Sequence, residues 1–167
     1  GVVDISSTFT AFAALKSDGS VVTWGNPNLG GSSFLVTDQI SSGVERVFST
    51  GYAFAALKSD GSVVTWGSKI NGGDSSAVSH QLSGGVTEVF SNDAAFAALK
   101  VDGSVVTWGH NISLSLMEQQ SLSSGVVKIF SSQFSFAALK TDGSVVTWGR
   151  KNYGGDSSVV SSDLSSN

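Results

Sequence analysis

The chain has 167 residues, of which 40% are hydrophobic and 13% charged, with a net charge of −4, 20 glycines, one proline and no cysteine. Without cysteine there is no disulfide framework, thiolate metal site or cysteine catalysis; without a basic stripe the electrostatic basis for nucleic-acid binding is missing. No apolar run approaches the ~18 residues of a membrane span and the N-terminus lacks the basic start of a signal peptide, so neither membrane insertion nor a nucleic-acid partner is expected.

Taken in chain order, the sequence is one unit written four times. The first unit, 1–42, opens with Gly1-Val2 and Ile5, continues through Ala11-Phe12-Ala13-Ala14-Leu15-Lys16, turns at Asp18-Gly19 and runs on as Ser20-Val21-Val22-Thr23-Trp24-Gly25. The second, 43–84, repeats this with Val44, Val47-Phe48, Ala53 to Lys58 and Trp66; the third, 85–124, with Val86, Val89-Phe90, Ala95 to Lys100 and Trp108; the fourth, 125–167, with Val126, Ile129-Phe130, Ser135 to Lys140 and Trp148. Self-similarity at a period near 40 residues marks a repeat architecture.

Three strands per unit are expected. Asp-Gly between two apolar runs is a strong hairpin signal, and it predicts a type I′ turn with φ > 0 at both Asp18 and Gly19 and at their counterparts. The central strand is apolar on both faces, whereas a sheet with one wet face alternates apolar with polar. These strands therefore need cover on both sides, and their alanines let neighbouring sheets approach closely. The expected architecture is all-β, a propeller-type array of four blades of three to four strands around an axis. In the first strand Val44 and Val47 are three apart, which predicts a bulge or a late strand start. Ser113 to Leu122 is the one stretch with helical character. The four tryptophans, in-strand and identically flanked, read as core.

Gly-Val-X-X-Val-Phe-Ser followed by Ala-Ala-Leu-Lys-X-Asp-Gly-Ser-Val-Val-Thr-Trp-Gly resembles the repeat of the regulator of chromosome condensation family. It is most similar to the short-repeat bacterial members typified by type II β-lactamase inhibitory protein. The resemblance covers essentially all 167 residues and implies β-propeller blades, usually seven to a ring, with an Asn- and Gly-containing loop after Trp-Gly. Here that loop is Asn26 to Gly31, Ser68 to Gly73 and Arg150 to Gly155; the third unit is shorter and lacks the Gly-Gly. Four units are fewer than seven, so the array either closes alone, joins other chains edge to edge, or continues in a longer protein. An open propeller would leave bare edges, which favours self-association or truncation over a lone open monomer.

Variation between units gathers in two loops. One follows the first strand and holds Phe9, Tyr52, Asp93 and Phe134; the other follows Trp-Gly and holds Lys69, His110, Arg150 and Tyr153. Equivalent loops of a propeller share a face, and aromatic anchors dominate binding hot spots, so these eight are the candidate partner-binding residues. Loops also vary by default. No catalytic motif, cofactor site or metal-ligand spacing appears: His80 and His110 fall at different phases of the repeat, and Gly72-Gly73-Asp74 and Gly154-Gly155-Asp156 lack the nine-residue recurrence of calcium-binding glycine repeats. The expectation is a non-enzymatic module that recognises a protein partner through loops on one face. A self-assembling structural protein of a surface or secreted assembly and a carbohydrate-binding propeller are the alternatives. The low charge, abundant serine and absent cysteine fit an exported bacterial protein.

Overall fold

The computed structural model describes residues 1–165. Twelve strands form four separate antiparallel sheets, each a three-stranded meander. Blade 1 holds β1 (Val2–Ser7), β2 (Ala11–Lys16) and β3 (Val21–Gly25); blade 2 holds β4 (Val44–Ser49), β5 (Ala53–Lys58) and β6 (Val63–Gly67). Blade 3 holds β7 (Val86–Ser91), β8 (Ala95–Lys100) and β9 (Val105–Gly109), and blade 4 holds β10 (Val126–Ser131), β11 (Ser135–Lys140) and β12 (Val145–Gly149). The first strands β1, β4, β7 and β10 lie next to one another in that order. They form the inner edge of the array.

The bulge falls where the apolar spacing puts it. Val44 pairs with Lys58 but Arg46 pairs with Leu57, so Glu45 is the extra residue, and the same shift recurs between Val2 and Asp4, Val86 and Glu88, and Val126 and Lys128. One extra residue lets Val44 and Val47 face the same core although they are three apart.

The hairpin turn differs from the type I′ expectation. Gly19 has φ 76°, but Asp18 is not among the residues with positive φ. The Lys16 carbonyl accepts from the Gly19 N–H (2.9 Å) and the Lys16 N–H donates to the Ser20 carbonyl (2.9 Å), which is a three-residue loop with a left-handed glycine in third place. Asp18 takes another role: its Oδ1 accepts from both the N–H (3.0 Å) and the hydroxyl (2.6 Å) of Ser20. The Ser20 hydroxyl first, then the Lys16 ammonium (3.0 Å) and the Ser20 N–H, hold the Asp18 carboxyl far below the usual carboxylate range, and Asp60, Asp102 and Asp142 are lowered by the hydroxyl and N–H of Ser62, Ser104 and Ser144.

The core consists of three seams between consecutive blades. In the first, Ala11, Ala13, Leu15 and Val21 of blade 1 meet Phe54, Ala56, Val64 and Trp66 of blade 2. The second and third repeat this with Ala53, Ala55 and Leu57 against Phe96 and Trp108, and Ala95, Ala97 and Leu99 against Phe136 and Trp148. Alanines on one side leave room for a stacked Phe–Trp pair on the other, as at Phe54–Trp66, whose centroids are 5.3 Å apart; such pairs add about 0.5–1.5 kcal/mol beyond burial. Blades 2 and 3 are thus covered on both faces.

The outer face of each end blade is not, contrary to the expectation that every strand is sandwiched. Phe12, Val22 and Trp24 of blade 1 are exposed, and Ala137, Leu139 and Val145 of blade 4 are part-exposed. Trp24 is therefore not core, because no described blade lies on its side. The helical stretch in the third unit is observed as α1 (Leu116–Ser121), started by a Ser115–Glu118 capping box. Short 3-10 turns after the Trp-Gly and a four-residue helix, α2 (Ser161–Leu164), were not foreseen.

Candidate functional site

Both variable loops lie at the same end of every blade. The N–H after each Trp-Gly donates to the carbonyl before the central strand: Asn26 to Thr10 (2.9 Å), Ser68 to Tyr52 (2.9 Å), His110 to Ala94 (3.0 Å) and Arg150 to Phe134 (3.1 Å). The Asp-Gly turns occupy the opposite end. All eight candidate residues named from the sequence therefore share one end of the array, and three groups form there.

At the inner edge, the ring of Phe9 meets that of Tyr52 edge-on, 5.2 Å between centroids, and Gln133 Nε2 donates to Asp93 Oδ2 (2.9 Å). The backbone links the same loops: the N–H groups of Phe9, Gly51 and Asp93 donate to the carbonyls of Gly51, Asp93 and Gln133. Ser7, Phe9, Thr50, Asn92 and Ser132, drawn from all four blades, line one shallow depression on the axis.

Between blades 3 and 4, four of the candidates converge. The Arg150 guanidinium lies 4.6 Å from the Phe134 ring centroid and 5.9 Å from that of Tyr153, and those two rings meet edge-on at 4.9 Å. With the Asn111 amide turned to suit its neighbours, its oxygen accepts from Arg150 Nε (3.1 Å), Arg150 Nη2 (3.1 Å) and His110 Nε2 (2.9 Å). Asn111 has φ 56°, in the left-handed region that asparagine tolerates best among side-chain-bearing residues. Here a cation over aromatics is held from behind by an amide, which fixes its direction.

The third group joins Leu29, Lys69 and Ile70 of the variable loop after Trp-Gly to Phe34 and Leu35, which the sequence reading does not single out. Phe34 and Leu35 follow the first Gly-Gly and are 84% and 88% exposed. With Leu29, Val36, Ile70 and Trp66 they line a groove between blades 1 and 2, with Lys69 and Asp74 also on its walls. The signal was available: the second unit has Ser76 and Ala77 where the first has Phe34 and Leu35, so the repeat frame does not demand large apolar groups there.

The Gly-Gly-Asp carboxylates are occupied by their own turns. Asp74 Oδ1 accepts from the Ser76 N–H (3.0 Å) and Asp156 Oδ1 from the Ser158 N–H (2.9 Å). Among the described residues no group of three or more His, Cys, Asp or Glu is placed to hold a metal ion, and no helix is long and apolar enough to cross a membrane.

Four three-stranded blades in a curved row define an all-β propeller array of the RCC1-like type, and solved structures of that fold match it. Prp20p from Saccharomyces cerevisiae matches with a TM-score of 0.60 at 17% identity, over 90% of this chain and 44% of that one. The CRINKLY WD40 ectodomain of the Arabidopsis thaliana receptor kinase ACR4 matches at 0.57 and 18%, over 89% and 52%, and human WBSCR16 at 0.52 and 20%, over 92% and 48%. The chain thus spans about half the length of the propellers it resembles. No family profile and no curated protein sequence matches it.

Proposed function

We propose that the chain is a non-enzymatic propeller module that binds a protein partner through the loop end of its blades. The observation that carries this reading is the groove of Leu29, Phe34, Leu35 and Ile70, which exposes large apolar side chains that the repeat does not need. Contiguous exposed apolar surface rimmed by polar groups marks interaction sites. Lys69 and Asp74 supply such a rim with both signs of charge. The Phe9–Tyr52 pair and the Arg150–Phe134–Tyr153 cluster extend the same end with aromatic and arginine anchors. One solved propeller of this fold supports the reading: Prp20p, the yeast RCC1, is described with its binding to Gsp1p and histones and was also solved bound to Kap60. We further propose that the repeat belongs with the short-repeat bacterial subgroup, on the strength of its Ala-Ala-Leu-Lys-X-Asp-Gly-Ser-Val-Val-Thr-Trp-Gly core.

The test is a double variant, Phe34→Ser with Leu35→Ser, beside a triple variant, Phe9→Ala, Tyr52→Ala and Phe134→Ala. Partners captured by the wild-type chain and mapped by cross-linking should contact these loops and be lost from one variant or both. Unfolding of the double variant should stay within about 0.5 kcal/mol of wild type, as for surface changes generally. Capture that is equal for all three chains removes the reading.

A further inference from the structure

We propose that the two uncovered faces are the halves of one more seam, closed by a second copy of this chain, so that two chains form an eight-bladed ring. This makes the self-association expected from sequence specific, and it stands apart from the loop groove.

The first support is steric. Blade 1 leaves bare Phe12, Val22 and Trp24, the counterparts of Phe54, Val64 and Trp66; blade 4 leaves part-exposed Ala137, Leu139 and Val145, the counterparts of Ala55, Leu57 and Val63. These two surfaces pack against each other at every internal seam. The socket is already formed. Gly30 and Gly72 are left-handed, and a ring edge, of Phe54 or Phe96, comes to 2.6 Å from where their Cβ would lie; Gly154 has the same conformation, φ 95°, with nothing among the described residues within 4 Å. Phe12 of a second copy is the group that fits there.

The second support is a set of hydrogen-bond series that stop at the chain's ends. Trp66 Nε1 donates to the Gly30 carbonyl (3.2 Å) and Trp108 Nε1 to that of Gly72 (3.0 Å); the seam between blades 3 and 4, whose loop lacks the Gly-Gly, omits this bond, and Trp24 and Gly154 are the donor and acceptor at the two ends. At the other end of the blades, the N–H groups of Val44, Val86 and Val126 each donate to Gly19, Gly61 and Gly103 at 3.0 Å; the series continues with Val2 and Gly143. Along the axis, Phe9 donates to Gly51, Gly51 to Asp93 and Asp93 to Gln133, leaving Gln133 to donate to Phe9. In each series the acceptor and donor that come next sit on opposite ends of one chain.

The third support selects an even ring. The residue just past each bulge is Asp4, Arg46, Glu88 and Lys128, paired in turn with Leu15, Leu57, Leu99 and Leu139. Their signs alternate along the inner strands, and Arg46 Nη1 reaches Glu88 Oε1 at 3.5 Å. Joining two copies end to end puts Lys128 of one beside Asp4 of the other and keeps the alternation unbroken. An odd number of such blades would set like charges side by side. Because the joined faces differ, the contact is head to tail, and two copies with two such contacts close it without a free edge.

Sedimentation equilibrium tests this. The wild-type chain should run at twice its 17.1 kDa mass. Trp24→Glu and Ala137→Glu should each give a folded monomer with the wild-type circular dichroism spectrum. Mixing the two variants should restore a pair, because one intact face of each remains; a folding defect would not be rescued by mixing. Asp4→Lys should weaken pairing several-fold at low ionic strength, and Asp4→Lys combined with Lys128→Asp should recover it. A wild-type chain that stays monomeric to its solubility limit overturns the proposal. So does a dimer indifferent to both face variants, or a longer natural form whose own further repeats cover both faces in a monomer.

Discussion

Trp24 and Trp66 occupy the same place in the same strand with the same neighbours in sequence, yet Trp24 is 45% exposed and Trp66 is 4% exposed. Each stacks on its cross-strand phenylalanine at nearly the same distance, 5.2 Å for Phe12–Trp24 and 5.3 Å for Phe54–Trp66. The hairpin thus sets the local geometry, and the adjoining blade supplies the burial. A blade of this kind is half of two seams, and its stability depends on its neighbours, as in other repeat arrays where interface terms add to those of each unit. The seams also differ among themselves. Trp66 and Trp108 donate to Gly30 and Gly72, whereas Trp148, equally buried, has no partner for its indole N–H among the described residues. The blade 3 loop that faces it is two residues shorter than its counterparts and lacks the Gly-Gly; Ile112 and Leu114 pack against that seam instead.

The largest expected effect breaks a seam on purpose. Trp66→Ala empties a buried site and should cost about 3–5 kcal/mol. Trp24→Ala, studied in the Ala137→Glu background that keeps the chain single, should cost under about half as much because so much of its surface is already in water. Denaturant unfolding compares the two, and equal losses would mean that the adjoining blade contributes nothing. A smaller effect separates the seams. Trp108→Phe leaves the Gly72 carbonyl without its donor, while Trp148→Phe removes an N–H that has no partner. The second substitution should be milder by about 1 kcal/mol, and a reversed order would show that Trp148 is bonded in solution. The smallest effect is that of acid. The turn carboxylates Asp18, Asp60, Asp102 and Asp142 titrate below their ordinary range in the fold. The stability they add is complete above about pH 4, the unfolded value, and is lost as pH falls towards their folded values. Three of these turns present the carbonyl that receives the next blade and the Asp142 turn does not. In the Ala137→Glu background that keeps the chain single, Asp60→Ala should therefore remove more of the acid-dependent loss, read from melting curves between pH 5 and 2, than Asp142→Ala does.

Much of the fold was legible because the repeat carries it. Alanines on both faces of β5, the Asp-Gly turn and the three-residue spacing of Val44 and Val47 each have a local physical reading, and the strands, the turn positions and the bulge lie where that reading places them. The turn type was misjudged because Asp18 spends its carboxylate on Ser20, which favours a longer loop with one left-handed residue over two. The loop candidates were legible as variation between units. Their grouping was not, since Arg150 finds Phe134, Tyr153 and Asn111 across a sequence distance that no period encodes. The contrast of Phe34 and Leu35 with Ser76 and Ala77 marks them as outside the repeat frame, but it does not say whether they are exposed. Their exposure depends on which way a 3-10 turn faces.

By itself, then, the sequence determined the unit: strand period, turn chemistry and two-sided hydrophobicity are short-range properties that every copy restates. Tertiary structure decided what depends on neighbours, namely which tryptophan is wet, which indole lacks an acceptor, and which face of each end blade is left bare. Burial is a property of a pair of surfaces, and an identical surface has a different free energy when its partner is absent.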